Sequence, residues 1–532
     1  MGRSRSRVQG IHDILLYDRL DAASVCLMEF DIISQAKTPI LEALWQCATR
    51  INHAPFYTPG HKRGEGITQQ LVNYFGKAIF SADLPELPEL DNLFAPQGII
   101  QEAQELAAVA FGAEKTWFLV NGSTCGVEAA ILATCGVGDK IILPRNVHNS
   151  AIAGLILSGA VPIFIAPAYD PVLDIAHSIT PEAVAAALAA HPDAKAVLMV
   201  YPTYYGVCGD LNAIAAVVHQ HNIPLLVDEA HGSHFAFHSE LPTPALAAGA
   251  DLSVQSTHKV LGALTQASML HVSGNRIDRD RLNKSLQLLQ STSPSYLLLA
   301  SLDAARQQMA LYGEELMTKA LRLADEARNR ISQIPNLSVL QMPAKNSGFV
   351  ALDETRLTVT VSGLGIAGFE ADEILHQELG VTAELPSLQH LTFIISLGNT
   401  VADIERLVEG FAVLAERSTQ VSQKSKVKSQ NQLQIPNSVS RRRSEALFRI
   451  PNSLLTPREA FFAPTETLPF HQTRDRISAE LICPYPPGIP ILMPGEIITS
   501  EALEYLQQIQ VSDGYITGCT EPSLTQLKVV KK

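Results

Sequence analysis

Five polar clusters punctuate the apolar runs of this 532-residue sequence, and together they hold a lysine, a carboxylate and several hydroxyl donors. Asn121-Gly122-Ser123-Thr124 follows Thr116–Val120, and Arg145-Asn146-Val147-His148 follows Lys140–Leu143. Tyr201-Pro202-Thr203-Tyr204-Tyr205-Gly206 follows Ala196–Val200. Asp228-Glu229-Ala230-His231-Gly232 follows Pro224–Val227, and Ser256-Thr257-His258-Lys259 follows Leu252–Gln255. Lysines avoid cores, so Lys259 at the end of an apolar run is out of place as a structural residue. Partial desolvation there lowers the pKa of the amine and makes it a nucleophile. Asp228 ends Leu225-Leu226-Val227, where an unpaired carboxylate is costly. Ser123 and Thr124 lead into apolar Val127–Thr134, and free N–H groups at a helix start suit a phosphate.

An amine for an imine, an anion beside a ring nitrogen and donors for a phosphate are what pyridoxal phosphate requires. Ser256 and His258 flank Lys259 and add phosphate donors. Singly, each feature also fits a plainer role. The Asn121 cluster reads equally as a helix N-cap, Asp228 as a structural ion pair, and Lys259 as a surface lysine. Asp228, Glu229, His231 and His234 are metal-ligating types as well, but the expectation here is a site without metal.

Elements must bring these clusters together. Val161–Ile165 and Ala267–Val272 complete seven β-rich runs, which alternate with helical stretches such as Pro181–Ala190 and Asn212–His221. This is the pattern of an α/β fold with a doubly wound, mostly parallel seven-stranded sheet. Ligands of such sheets sit outside the carboxyl ends of the strands, where all five clusters fall. Residues 36–335 form the expected major domain, with helix on both sides of Gly313 (Tyr296–Tyr312 and Glu314–Ile334). A small α/β domain over 336–417 carries β-rich Leu357–Val361 and Thr392–Ser396. Residues 1–35 read as an N-terminal extension and 418–445 as a disordered linker. The linker has no acid before Glu445 and holds Lys424, Lys426, Lys428 and Arg441-Arg442-Arg443. A C-terminal α+β domain occupies 446–532.

The formal charge of −13 and an aromatic content of 6% argue against a nucleic-acid partner. Seven cysteines without a C-x-x-C pair point to a reducing, cytoplasmic compartment. No apolar stretch approaches the roughly 20 residues of a membrane span. The basic start, Met1 to Arg7, leads only to Ile14-Leu15-Leu16-Tyr17 before Asp18, too short for a signal segment.

In order and joint content the motifs resemble the Orn/Lys/Arg decarboxylase family of fold-type I pyridoxal-phosphate enzymes. Besides the five clusters, the resemblance rests on Phe56-Tyr57-Thr58-Pro59-Gly60-His61-Lys62, Asp83-Leu84-Pro85-Glu86-Leu87, Leu90-Asp91-Asn92-Leu93 and Thr292-Ser293-Pro294-Ser295-Tyr296. It continues through Pro457-Arg458-Glu459-Ala460-Phe461, Ile477-Ser478-Ala479-Glu480, Pro484–Pro490 and Pro494-Gly495-Glu496. The family's regulatory N-terminal wing is expected to be absent, as in its shorter subgroup. A glycine expected near Arg63 is also missing, and the basic linker is an insertion.

The resemblance implies a large domain of the pyridoxal-phosphate transferase type, and it assigns roles. Lys259 is the expected Schiff-base lysine and Asp228 the partner of the pyridine nitrogen. His148 is expected to stack on the ring, with Ala230 on its other face. Ser123, Thr124, Ser256 and His258 are expected phosphate ligands. Thr292 and Ser293 would reach the phosphate of a neighbouring subunit, making a homodimer the smallest unit of the homo-oligomer. His231 would handle protons near the substrate.

The implied reaction is decarboxylation of a free basic amino acid, feeding polyamine synthesis. Arginine to agmatine stands ahead of lysine to cadaverine or ornithine to putrescine. The distal cation needs an acid, and Asp91, Glu384, Glu480 and Glu496 are the candidates. An aminotransferase or carbon–sulfur lyase is the alternative, but no arginine occurs between Arg356 and Arg406 to hold an α-carboxylate. A non-catalytic carrier of the cofactor is a third reading, opposed by the intact lysine, aspartate and phosphate set.

Overall fold

A computed structural model describes residues 34–343, 348–425, 455–485 and 488–532. The seven apolar runs form one sheet: β1 (Lys115–Leu119), β2 (Lys140–Pro144), β3 (Val161–Ile165), β4 (Ala196–Val200), β5 (Leu225–Asp228), β6 (Leu252–Gln255) and β7 (Ser268–Val272). The spatial order is β1-β7-β6-β5-β4-β2-β3. Only β7 runs antiparallel to its neighbours, so the other six point one way. Every residue of β4, β5, β6 and β7 is buried, which is why these runs are largely apolar, with Asp228, Ser253, Gln255, Ser268 and His271 as buried polar exceptions. Side chains alternate between two cores: Leu225 and Val227 enter one, Leu226 the other.

The helices that carry or brace the strand ends are α1 (Pro39–Ala48), α2 (Gly122–Thr134), α3 (Asn149–Ser158), the single turn α4 (Thr257–Val260), α5 (Tyr296–Ser332) and α6 (Val401–Ser425). α5 runs unbroken for 37 residues through Gly313. A Cβ at Gly313 would come within 2.9 Å of Phe237 Cβ, so the missing side chain lets the helix cross Phe237 closely. That packing outweighs the ~1 kcal/mol that glycine costs inside a helix.

The small domain is an antiparallel sheet of β8 (Ser338–Val339), β9 (Arg356–Thr360), β10 (Leu385–Pro386) and β11 (His390–Ile394), in the order β8-β9-β11-β10. It shares a core with α6. The helix does not stop at 417. Ile404, Leu407, Val408, Phe411, Leu414 and Ala415 bury one face, and the helix then continues to Ser425, into the expected linker. Lys426, Lys428 and Arg441-Arg442-Arg443 lie outside the described residues, as does nearly all of the extension 1–35. The C-terminal domain is α+β. Thr465–Pro469 pairs with Gln526–Val530, Cys483–Pro484 pairs with Ile516–Thr517, and the helix Ser500–Val511 packs into the same core. Among the described residues no helix is long and apolar enough to cross a membrane.

Candidate active site

Lys259 stands on the single turn α4, where β6 gives out, and its side chain is half-buried. Its Nζ lies 3.0 Å from Nε2 of His231, which follows β5. On the far side of that ring, Nδ1 lies 2.8 Å from Nη2 of Arg356, the first residue of β9. A guanidinium only donates, so Nδ1 is the acceptor and the neutral ring carries its proton on Nε2, toward Lys259. Burial holds His231 well below the usual histidine range, and the charges of Lys259 and Arg356 push it further. Burial also lowers the pKa of Lys259; Asp228 opposes this and Arg356 adds to it. The net shift is toward the free amine, the nucleophilic form.

Asp228 ends β5 and is 7% exposed. Its Oδ1 accepts from Ala230 N at 3.2 Å, and among the described residues it forms no ion pair. Burial raises its pKa against the charge of Lys259. Ala230 is buried beside it. A sealed carboxylate with one weak partner leaves room for a further N–H donor.

Ser256 Oγ donates to Ser123 Oγ at 2.7 Å, joining the ends of β6 and β1 at the start of α2. Gly122 opens that helix at φ +77, which favours glycine. The buried Thr257 hydroxyl beside them has no partner among the described residues. Thr124 is exposed. His258 departs from expectation: its Nδ1 donates to Ala267 O at 2.9 Å, so the neutral ring has no second proton to offer an anion. Burial holds its pKa down as well.

His148 caps α3, its Nδ1 accepting from Ser150 N at 3.2 Å. Burial, helped by the charge of Lys259, lowers its pKa to about 4, so the ring is neutral at neutral pH. The C-terminal domain backs this ring. Gly488 has φ +86, a Cβ there would sit 3.4 Å from His148 Nε2, and Asn149 N donates to Gly488 O at 3.2 Å. Three domains therefore meet at one strand edge.

Three of the four candidate acids are occupied by the fold. Asp91 takes backbone N–H groups from Asn92 and Gln97 on Oδ1 and from Gly98 and Ile100 on Oδ2, securing the start of the helix Ile99–Phe111. Glu480 accepts from Thr520 N and Lys528 N inside the C-terminal domain. Glu496 pairs with Arg145. Glu384 alone is exposed, and its charge acts on Lys259, His258, Arg356 and Tyr204. Thr292 and Ser293 are exposed, on a segment hung beside the Asn121 loop by Val120 N to Gln290 Oε1 at 2.9 Å. Among the described residues neither hydrogen-bonds to Ser123 or Ser256. The four metal-ligating types separate: Asp228 and His231 stay by Lys259, Glu229 turns to Ser253 and Gln255, and His234 turns to Asp353.

Arg356 is the residue that sequence reading missed; it entered only as the edge of an arginine-free stretch. It is 1% exposed. Arg356 opens the β-rich run Leu357–Val361, in which two threonines alternate with the apolar residues, so a charge at its start is only a faint signal. Among the described residues, the Asp228 carboxylate without an ion pair, the partnerless Thr257 hydroxyl, the paired Ser123 and Ser256 at a helix start and the half-buried Lys259 amine match the separate demands of a ring nitrogen, a phosphate and an aldehyde.

Comparison with known proteins identifies the family. Residues 38–350 match the Orn/Lys/Arg decarboxylase major domain, and 441–520 match the C-terminal domain of the same family. The chain is 40% identical over 501 residues to an arginine decarboxylase of Bacillus subtilis, covering 94% of this chain and 99% of that protein. It is also 40% identical over 502 residues to an arginine decarboxylase of Halalkalibacterium halodurans, covering 94% and 98%. Its fold superposes on a lysine decarboxylase of Francisella novicida with a TM-score of 0.78 at 22% identity, covering 97% of this chain and 84% of that one. A family match across more than half the length, with near full-length relatives at this identity, is decisive: the chain belongs to the Orn/Lys/Arg decarboxylase family.

Proposed function

We propose that this protein decarboxylates a free basic amino acid, arginine before lysine or ornithine, with pyridoxal phosphate bound at Lys259. The observation that carries the reading is the Lys259 amine, 3.0 Å from His231 Nε2, at the same strand ends as the buried Asp228 carboxylate, which forms no ion pair among the described residues. The preference for arginine is supported by the relatives at 40% identity, which are named arginine decarboxylases.

Bound pyridoxal phosphate supplies an electron sink for the pair released with CO2. The chain's own groups do the rest. Lys259 Nζ would hold the aldehyde carbon. Asp228 would keep a proton on the ring nitrogen. His148 and Ala230 would flank the ring, and Ser123, Ser256 and Thr257 would offer hydroxyls to the phosphate. His231 Nε2–H is the proton carrier closest to Lys259, at 3.0 Å. Glu384 receives the distal guanidinium, whose planar fork suits a carboxylate. Exposed Thr292 and Ser293 are available to a second copy's site, which favours a homodimer. The six described cysteines are free thiols, which suits the cytoplasm. Agmatine, the amine that arginine yields, would enter polyamine synthesis.

The test incubates cofactor-loaded protein separately with arginine, lysine and ornithine and measures CO2 and amine. Arginine is expected to show the highest kcat/KM; no CO2 from any of the three overturns the proposal.

A further inference from the structure

Arg356 belongs to the small domain, yet its guanidinium is buried against the major domain. Nη2 meets His231 twice, at Nδ1 (2.8 Å) and at the main-chain oxygen (3.4 Å). Behind it, Nε lies 3.6 Å from Asp353 Oδ2. Asp353 Oδ1 in turn accepts from the Thr355 hydroxyl at 2.6 Å and lies 3.2 Å from His234 Nε2. Beyond the His231 ring stands Lys259 Nζ. A continuous line of contacts thus joins Asp353, Arg356, His231 and Lys259 across the domain boundary.

A neutral imidazole has one ring proton. On Nδ1, it would leave a lone pair on Nε2 facing Lys259, which stabilises an ammonium by accepting from it. Arg356 at Nδ1 excludes that tautomer, because a guanidinium offers no acceptor. The proton then sits on Nε2, and the lysine nitrogen can accept it only as a neutral amine.

We propose that Arg356 is a positioning residue that fixes the tautomer of His231 and, through it, keeps Lys259 a free amine, so that docking of the small domain primes the lysine for bond formation. The consequence rests on Lys259 being the lysine that receives the aldehyde; the tautomer does not. The groups facing His231 are Lys259, Arg356, His148, His258 and the edge of Tyr204. Those facing Lys259 also include Asp228 and Glu384, both of which favour the ammonium. Arg356 opposes them by charge as well as through His231, so the test must separate the two routes.

The full chain, freed of cofactor, is labelled with 15N-histidine, and the His231 signals are assigned by their loss in His231→Asn. At neutral pH Nδ1 is expected to appear as a bare acceptor and Nε2 as protonated; a protonated Nδ1 overturns the proposal. The pH dependence of Lys259 acetylation by acetic anhydride, read by mass spectrometry, gives the second readout. Arg356→Met is expected to move its midpoint upward, and once the midpoint lies above the assay pH the rate should fall roughly tenfold for each further unit. Arg356→Lys, which keeps a cationic donor, should recover part of the loss. In the His231→Asn background, Arg356→Met should raise the midpoint by clearly less, since only the direct charge effect is left. An equal rise in both backgrounds means that Arg356 acts by charge alone and overturns the proposal. If Arg356→Met does not fold, the wild-type tautomer and the Arg356→Lys midpoint decide. A correct tautomer in a protein that releases no CO2 counts against the proposed reaction and leaves this inference standing.

Discussion

Arg145 Nη2 and Glu496 Oε2 lie 3.1 Å apart, with both side chains almost sealed from solvent, and tie the C-terminal domain to the strand end that also carries His148. The same guanidinium donates to Pro490 O at 2.7 Å and Ile491 O at 3.0 Å. Removing one partner of a buried pair strands the other charge, at a cost of about 3–5 kcal/mol. Glu496→Ala is therefore expected to destabilise the protein by that order in urea unfolding and to speed proteolytic release of the C-terminal domain. Glu496→Gln, which keeps an acceptor, should lose less. Unchanged stability in Glu496→Ala would show that the pair does not hold the domains together.

Glu384 and Asp91 should separate substrate binding from folding. A hydrogen bond to a charged group is worth about 1.5–3 kcal/mol, so Glu384→Gln should raise KM for arginine roughly 10- to 100-fold with a smaller effect on kcat. Asp91→Asn removes charge from a carboxylate that already takes four backbone N–H groups. It should lower stability by about 1 kcal/mol and leave KM alone. Steady-state kinetics beside thermal melts decides. A KM that moves with Asp91 and not with Glu384 would reverse the assignment.

These acids mark the limit of what the sequence makes legible. The seven strands were readable to within a residue or two because a strand buried on both faces must be apolar, and burial is a short-range pattern. Lys259 and Asp228 stood out for the same reason, as charges where that pattern ends. Arg356 did not, because what gives it meaning is His231, 125 positions away. Glu480 and Asp91 looked like free acids because backbone N–H partners leave no trace in side-chain identity. The continuity of α5 through Gly313 depends on Phe237, which only tertiary packing brings there.

Asp228 is predicted to trade stability for function. Its carboxylate is buried with one hydrogen bond of 3.2 Å, so the cofactor-free chain carries an under-satisfied charge. Asp228→Asn removes that charge and should stabilise cofactor-free protein by on the order of 1 kcal/mol, read as a higher melting temperature. The same change removes the anion proposed to face the ring nitrogen and should lower kcat by roughly 10²-fold or more. A variant that loses both stability and turnover would mean that Asp228 serves the fold.

His271 offers a pH prediction free of the chemistry. Its ring is fully buried, with Nδ1 2.8 Å from Thr116 Oγ1 and Nε2 3.1 Å from Gln255 Oε1, and it stacks on Phe111. Burial lowers its pKa from the ordinary 6.5 to about 3. Below pH 6.5 the unfolded chain gains a proton at this ring, and the folded chain does not until about pH 3. His271 therefore withdraws stability as pH falls through that window, by about 1.4 kcal/mol per pH unit, and contributes fully above it. His271→Gln is expected to be the less stable chain near neutral pH, because the packing is lost. Its deficit against wild type should narrow by about 2 kcal/mol on going to about pH 5, since the variant has no ring to protonate. Glu229, whose carboxyl burial pushes up to about 7, titrates in both chains and cancels from the difference. Urea midpoints at the two pH values give the result, and a deficit that stays constant with pH would show that His271 is not held neutral in the fold.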